Sequence, residues 1–226
     1  MRINLQTTPS AQEIGFGYKH LVNGFVHKQI SPEHYGINDL HDALSLYSVS
    51  NLDGGYRNST GSLAFPKGAS FFVSCYDTAL AKLLVQNIMT QPELFAGMKI
   101  SDISIQNTPD FPETMRFSIA SPVLVKKFDG TVIRHLTFND PEANEVMTKT
   151  MQTKLRAAGL DAHAESVRVR FDTSYAGAKT KLVDIHGIKN RANACPVIVE
   201  GSPEAVAFAW DVGVGHSTGA GFGALR

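Results

Sequence analysis

Gly213-Val-Gly-His-Ser-Thr-Gly-Ala-Gly-Phe-Gly223 places five glycines in eleven positions, and Ala224-Leu-Arg226 follows it. Glycine lets the backbone adopt positive φ and approach an anion closely. A dinucleotide-binding loop opens a helix inside a βαβ unit and is followed by an acid about 20 residues later. A Walker loop ends in Gly-Lys-Ser/Thr, and neither pattern occurs here. We therefore expect a glycine-rich turn between a helix and a final short strand, with the phosphate backbone of a nucleic acid as its ligand.

Length and composition limit the classes of protein to which this chain can belong. The chain has 226 residues and is 43% hydrophobic, which suits one large domain or two small ones. No apolar run is long enough for a membrane span, the N-terminus lacks a signal-peptide pattern, and a zero net charge argues against a non-specific nucleic-acid coat. Cys75 and Cys195 lie in apolar runs and read as buried free thiols. We expect a cytoplasmic protein with no membrane partner.

The first half of the chain alternates strand and helix patterns. Ser31-Pro32 predicts a break between two helices, and Asp77 is a predicted N-cap. The predicted elements are a strand at 2–7, helices at 18–30 and 32–43, strands at 44–52 and 69–75, a helix at 77–89 and a strand at 98–106. This order is close to the split βαβ pattern of a ferredoxin-like domain.

Asn107-Thr-Pro-Asp-Phe-Pro112 predicts a boundary between two domains, residues 1–112 and 113–226. The elements predicted after it are a strand at 115–120, a hairpin around Asp129-Gly130, a helix at 141–158, strands at 166–172, 181–185 and 194–199, a helix at 203–211 and a last short strand. The predicted fold class is therefore α+β, with tandem ferredoxin-like (RRM-like) domains.

Two sets of polar residues invite a functional interpretation. Lys179, Lys181, Lys189 and Arg191 oppose one acid, Asp184, and form either a solvated face or an RNA contact strip. Separately, histidines recur every seven residues at 20, 27, 34 and 41, so that pairs of them share a helix face. Metal ligands on a helix usually lie three or four residues apart, and no cysteine is near. We expect no metal site.

Four segments, in the same order along the chain, resemble the CRISPR-associated Cas-six family of repeat-RNA endoribonucleases. The glycine-rich stretch is similar to the C-terminal signature of that family, with Gly213-Val-Gly215 followed by Gly221-Phe-Gly223. The other segments are Leu21-Val-Asn-Gly-Phe-Val-His27, Leu40-His41-Asp42 with the strand-like Leu46–Leu52, and Ser121-Pro122-Val123. Members of the family are tandem ferredoxin-like proteins that cut a CRISPR repeat transcript without a metal or another cofactor.

The resemblance implies a catalytic pair. His41 corresponds to the catalytic histidine of the family, and His27 to a position that holds tyrosine or a second histidine. We expect His41 to act as general base on the RNA 2′-hydroxyl and His27 as general acid on the departing 5′-oxygen, leaving a 5′-hydroxyl and a 2′,3′-cyclic phosphate. Some relatives carry a lysine near the position of Ser45. Its absence here favours a two-histidine site or a lysine that arrives from elsewhere.

The predicted RNA contacts lie in the terminal loop and the basic stretch. They are Gly213, Gly215, His216, Ser217, Thr218, Gly219, Gly221, Phe222, Gly223, Lys179, Lys181, Lys189 and Arg191. The expected partner is CRISPR repeat RNA, together with an interference complex or other CRISPR proteins to which this chain is fused or bound. Two alternatives stay open. One is a repeat-RNA binder without turnover, and the other is an enzyme whose glycine loop holds a nucleotide or phosphorylated metabolite.

Overall fold

The computed structural model describes residues 1–30, 44–59, 61–185 and 187–226 of the chain. Two of the helices in these ranges begin at side-chain caps. The Asp77 carboxylate accepts the backbone N–H of Ala79, as predicted, and the Ser202 hydroxyl accepts that of Ala205. The described helices are Lys19–Ile30 (α1), Thr78–Thr90 (α2), Ala143–Ala157 (α3), Asp161–Ala164 (α4) and Pro203–Val212 (α5).

Every strand pairing among the described residues is antiparallel. The strands are Arg2–Thr7 (β1), Tyr47–Val49 (β2), Tyr56–Arg57 (β3), Leu63–Ala64 (β4), Ser70–Cys75 (β5), Ile100–Gln106 (β6), Thr114–Phe117 (β7), Val125–Asp129 (β8), Val132–Leu136 (β9), Arg168–Phe171 (β10), Lys179–Ile185 (β11), Ile188–Ala194 (β12) and Val197–Glu200 (β13). Three two-stranded hairpins of the described residues, β3–β4, β8–β9 and β11–β12, are separate from the two main sheets.

The two main sheets each have their own apolar core. The first sheet has the order β2-β5-β1-β6, and α1 and α2 bury their apolar faces with alternate residues of β1 such as Ile3 and Leu5. The second has the order β10-β13-β7 and packs against α3 and α5. Near the C-terminus, Leu225 forms a β-bridge with Ile119 beside the second sheet. The predicted division at residue 112 stays a prediction, and Phe111, just before it, packs against the second core.

Arg2 links the two halves of the molecule. This residue of β1 donates from Nη2 to the carbonyl oxygen of Leu225 at 2.8 Å. Its guanidinium carbon lies 3.8 Å from the ring centroid of Phe72 and 3.7 Å from that of Trp210. A buried cation held between two aromatic faces is a directional contact, so it fixes how the first sheet meets α5.

The predicted secondary structure needs three corrections or qualifications. The strand predicted at 194–199 is β13 and covers only Val197–Glu200, and the chain before it forms an unpredicted strand, β12, that pairs with β11. The predicted last strand is reduced to the bridge at Leu225, after a 3₁₀ turn at Thr218–Ala220. The helix predicted at 32–43 lies outside the described residues.

Both cysteines are buried free thiols, as predicted. Burial raises the pKa of the Cys75 thiol to about 12 and that of Cys195 to about 11. Within the part of the chain that the structure describes, no helix combines the length and the apolar character needed to cross a membrane.

Candidate functional site

Residues 213–223, here called the glycine loop, follow α5 and fold back on themselves. Gly223 has a φ of 63°, and a Cβ at this position would lie 1.9 Å from the carbonyl oxygen of Val214. At Gly219 a Cβ would lie 2.7 Å from the Ser45 Oγ and from the Tyr47 hydroxyl. The loop therefore needs glycine at these positions for its conformation and for its close approach to β2.

Most of the glycine loop is buried. Its partly exposed residues are His216, Ser217 and Ala220, whereas its five glycines, Thr218 and Phe222 are buried. The glycines predicted as RNA contacts are therefore packed inside the loop, as are Thr218 and Phe222, and the loop reaches solvent at His216, Ser217 and Ala220.

Lys154 of α3 supports the loop from one side. This side chain is only 2% exposed, and its ammonium donates to the carbonyl oxygens of Val212 and Gly213 at 3.3 Å and to the Thr218 hydroxyl at 3.0 Å. No carboxylate forms an ion pair with it among the described residues. Burial without an anion lowers the pKa of Lys154 to about 7.

Lys19 and Asn23 of α1 support the loop from the other side. The Lys19 ammonium lies 2.6 Å from the carbonyl oxygen of Gly221 and 2.6 Å from the Asn51 side-chain oxygen. Burial, with a smaller contribution from Lys181, lowers the pKa of Lys19 to about 7. The Asn23 side-chain amide donates to the carbonyl oxygen of Ala220 at 3.0 Å. Two helices from different halves of the chain thus hold one loop.

A cavity of about 230 Å³ lies between α1, α3 and this turn, and is here called the polar cavity. Its lining consists of His27, Leu44, Ser45, Thr150, Lys154 and residues 215–220. The Nε2 atom of His27 is 3.3 Å from the Tyr47 hydroxyl. Burial raises the pKa of Tyr47, so the phenol keeps its proton near neutral pH.

His216 contributes a neutral ring to the polar cavity. Its Nδ1 accepts the backbone N–H of Lys126 at 3.2 Å, so the ring proton belongs on Nε2. Burial, together with the charges of Lys126 and Lys154, lowers the pKa of His216 to about 4. At pH 7 this residue can donate a hydrogen bond to an anion, but it is not a charged acid.

His41 is outside the described residues. The four basic residues of the predicted RNA contacts do not line the polar cavity. Lys179 and Lys181 line a separate groove of about 340 Å³ with Arg116 and Tyr175. In the β11–β12 register, Lys189 pairs with Asp184 and Arg191 with Leu182, whereas Lys181 pairs with Ala192. Since directly opposed residues share a face, the four basic residues are divided between two faces and do not form one strip.

Sequence reasoning missed Lys154 and Lys19, although a signal existed for both lysines. Lys154 follows Met147 and Met151 at helical spacing and therefore occupies a core position of an amphipathic helix. Lys19 is likewise in phase with Val22 and Val26. A lysine on the apolar stripe of a helix must find buried acceptors, and here the acceptors are loop carbonyl oxygens.

Comparison with protein-family models finds one match. The model described as "CRISPR associated protein Cas6, C-terminal" matches residues 105–226, which is more than half of the chain. A search of curated proteins by sequence finds no match.

Several solved structures share the fold over the whole chain. A Cas6-related protein from Pyrococcus furiosus is 20% identical with a TM-score of 0.85, covering 100% of this chain and 97% of its own. A RAMP protein described as binding different RNA substrates is 18% identical with a TM-score of 0.84, covering 100% and 98%. A further CRISPR-associated Cas6 protein is 17% identical with a TM-score of 0.81, again covering 100% and 98%. The predicted tandem ferredoxin-like fold is confirmed by these likenesses.

Proposed function

Since the chain belongs to the Cas6 family of CRISPR-associated proteins, we propose that it binds CRISPR repeat RNA and cuts it at the polar cavity. One observation carries this proposal. A histidine of α1, a buried cation of α3 and the exposed turn of the glycine loop line the same cavity. That combination offers a proton carrier, positive charge and hydrogen-bond donors to one phosphodiester, which are the groups that RNA transesterification requires.

The reaction needs no external nucleophile. The 2′-oxygen attacks the adjacent phosphorus and forms a 2′,3′-cyclic phosphate while the bond from phosphorus to the 5′-oxygen breaks. One group accepts the 2′-hydroxyl proton, and another protonates the departing 5′-oxygen. We assign the first role to His41, on the resemblance alone, and the second to His27, which lines the cavity. In this proposal the cutting is metal-independent.

Lys154 supplies the positive charge in this scheme. Ser45 occupies the region where some relatives carry a lysine, and Lys154 reaches the same cavity from α3. Its ammonium is buried and has no carboxylate partner among the described residues, so an entering phosphate is the anion that best compensates it. The neutral His216 ring and the Ser217 hydroxyl add donors at the mouth of the cavity.

The test is single-turnover cleavage of candidate repeat RNAs in EDTA. Wild type should cut at an unchanged rate, and a 2′-deoxy substitution at the cut site should abolish cutting. His41→Ala should abolish cutting, and His27→Ala and Lys154→Met should each slow it about a hundredfold, the range found for removal of one group that stabilises a transition state.

Two matched controls accompany these variants. His163→Ala removes a histidine that lies on α4 outside the polar cavity, and Lys149→Met removes an exposed lysine of α3 that pairs with Glu145. Both should cut as wild type does. Full-rate cutting of the deoxy RNA, or loss of cutting in EDTA, contradicts the proposed chemistry.

A non-cleaving repeat-RNA binder is the second candidate, and it is favoured by the serine at position 45. Under that function wild type shifts the mobility of repeat RNA and leaves the strand intact. We propose for either function that the protein acts in the cytoplasm and hands its RNA to a CRISPR interference complex. Affinity purification of the tagged protein, followed by identification of the proteins and RNA bound to it, tests that step.

A further inference from the structure

A second cavity adjoins the polar cavity at the turn formed by residues 217–220. It has a volume of about 460 Å³ and is here called the apolar cavity. Ser217 and Ala220 line both cavities. Its other lining residues are Leu124, Lys126, Ile133, His135, Ile185, Ile188, Asn190 and Phe222. A group held in one cavity is therefore a neighbour of a group held in the other, because both groups contact the same residues.

The β8–β9 hairpin presents its acid-free face to the apolar cavity. Lys126 is directly opposite His135, and Phe128 is opposite Ile133, so these four side chains share one face. The other face carries the Asp129 carboxylate and the Lys127 and Arg134 cations, which form ion pairs with Asp129 or Glu142. The charges on that face are already neutralised within the protein.

The β11–β12 hairpin also has one face without acidic residues and one face with a carboxylate. Ile185 is opposite Ile188 and Val183 is opposite Asn190, and Lys181 lies on this same face. The single carboxylate of the hairpin, Asp184, is opposite Lys189 on the other face. The apolar cavity is thus bounded by two acid-free faces, and Lys126 is the cation in its lining, which suits an anion with an apolar body.

Several large apolar side chains around this cavity are exposed to solvent. Phe128 is 63% exposed, Ile133 51% and Ile188 68%. Phe222 also lines the cavity, and its side chain is only 1% exposed. Burying such surface under a flat aromatic group is favourable, and single-stranded RNA is commonly bound by placing its unstacked bases on apolar and aromatic side chains.

Two hydrogen-bond donors border the apolar cavity. The Lys126 ammonium lies 3.2 Å from the Ser217 hydroxyl and has no carboxylate partner among the described residues. The Nδ1 of His135 accepts the backbone N–H of Arg191 at 3.2 Å, which leaves the proton on Nε2. Burial and the neighbouring charges of Lys126 and Arg191 lower the pKa of His135, so the ring is neutral at pH 7 and Nε2–H is a donor.

We propose that the apolar cavity binds the base of a nucleotide next to the cut phosphate and selects guanine or uracil there. This inference rests on the proposed function, because it assumes that the phosphate occupies the polar cavity. Guanine offers the acceptors O6 and N7, and uracil offers O2 and O4, to the two donors. Adenine and cytosine would instead direct an amino group toward one of those donors and leave it unpaired.

The experiment measures the binding of short repeat RNAs that carry a 2′-deoxy sugar at the cut site and each of the four bases at both flanking positions. Fluorescence anisotropy of wild type should show guanine or uracil favoured about tenfold at one flanking position. His135→Leu, which removes a donor and keeps an apolar shape, should reduce that preference to less than about twofold.

A matched pair of variants tests the location of the base. Ile188→Asp places a charge at the apolar cavity, whereas Leu182→Asp places it on the opposite face of the same hairpin, and both side chains are largely exposed. Ile188→Asp should weaken binding about tenfold more than Leu182→Asp does. Equal effects of the two variants, or no base preference in wild type, overturn the inference.

The two proposals fail in different ways. If wild type cuts repeat RNA in EDTA without base preference at the flanking positions, the proposed function stands and the base site is wrong. If wild type shows the preference and its loss in His135→Leu but never cuts, the base site stands and the cleavage proposal is wrong.

Discussion

Lys19 and Lys154 are buried cations whose partners are carbonyl, amide and hydroxyl oxygens. Each is in phase with the apolar stripe of its helix, and each extends its ammonium beyond the core to the glycine loop. Taking an ammonium out of water without a carboxylate partner costs free energy. Burial of these two ammonium groups therefore lowers the stability of the protein, while their hydrogen bonds hold the glycine loop in one conformation.

Stability should depend on pH through these two residues. Burial lowers the pKa of both lysines to about 7, whereas the pKa of an exposed lysine is about 10.4. Between pH 7 and 8 the unfolded chain binds more protons than the folded one, so the free energy of unfolding rises with pH. The expected slope is on the order of 1 kcal/mol per pH unit for each lysine, measured by urea unfolding.

In the Lys154→Met variant, the slope of the free energy of unfolding against pH should fall by about half. Lys149→Met should keep the wild-type slope, because Lys149 is exposed. The predicted rise in the free energy of unfolding is limited to the range from pH 7 to pH 8, because the cysteine thiols titrate above it. Burial raises the pKa of both cysteine thiols, and their ionisation in the unfolded chain above about pH 8.5 lowers stability as pH rises. A flat wild-type profile between pH 7 and 8 contradicts the expectation.

At the scale of elements, the glycine loop is a rigid part of the molecule. Gly223→Ala should destabilise the protein by at least about 2 kcal/mol, because Gly223 has positive φ and its new Cβ would meet the Val214 carbonyl oxygen. Gly24→Ala is the control. It lies inside α1, where a Cβ meets nothing within 4 Å, and should stabilise by about 0.5–1 kcal/mol. Thermal unfolding followed by circular dichroism compares the two, and equal shifts contradict this description of the loop.

Helices and strands were predictable where a cap, a turn sequence or an apolar repeat indicated them clearly. Asp77 and the apolar phase after it predicted α2, and the Asp129-Gly130 turn predicted the β8–β9 hairpin. The strand β12 was missed because Ile188-Lys-Asn-Arg-Ala-Asn-Ala194 is mostly polar. Its pairing with β11 follows from the turn that Gly187 makes at a φ of 80° and from backbone hydrogen bonds, which a hydrophobic pattern does not record.

At the scale of the whole molecule, Arg2 connects the first sheet to the second half. Arg2→Ala should reduce the free energy of unfolding by about 3 kcal/mol, because it removes a desolvated cation from two aromatic faces and leaves the Leu225 carbonyl oxygen without that donor. Arg57→Ala removes a similar contact to Phe16 that is exposed to solvent, and should change stability by less than about 0.5 kcal/mol. Chemical unfolding of both variants checks this, and a similar loss in each would contradict the role of Arg2.

The fold was predictable at this scale and most of the site was not. The order of strands and helices, together with the family resemblance, led to tandem ferredoxin-like domains. The polar cavity, in contrast, combines residues 27, 45, 154 and 217, which are far apart in the chain and meet only through packing of the two halves. A motif can indicate His27 and the glycine loop, but the spacing of residues in a sequence does not reveal that Lys154 approaches them from α3.

The double support of the glycine loop has a consequence during synthesis on the ribosome. A nascent chain that has emerged only as far as Asp211 can already contain α1 and α3, yet it lacks the segment that their lysines hold. Folding of α1 and α3 alone therefore does not complete the polar cavity, because residues 215–220 form much of its lining. The cavity is assembled only when this segment has docked between the two helices.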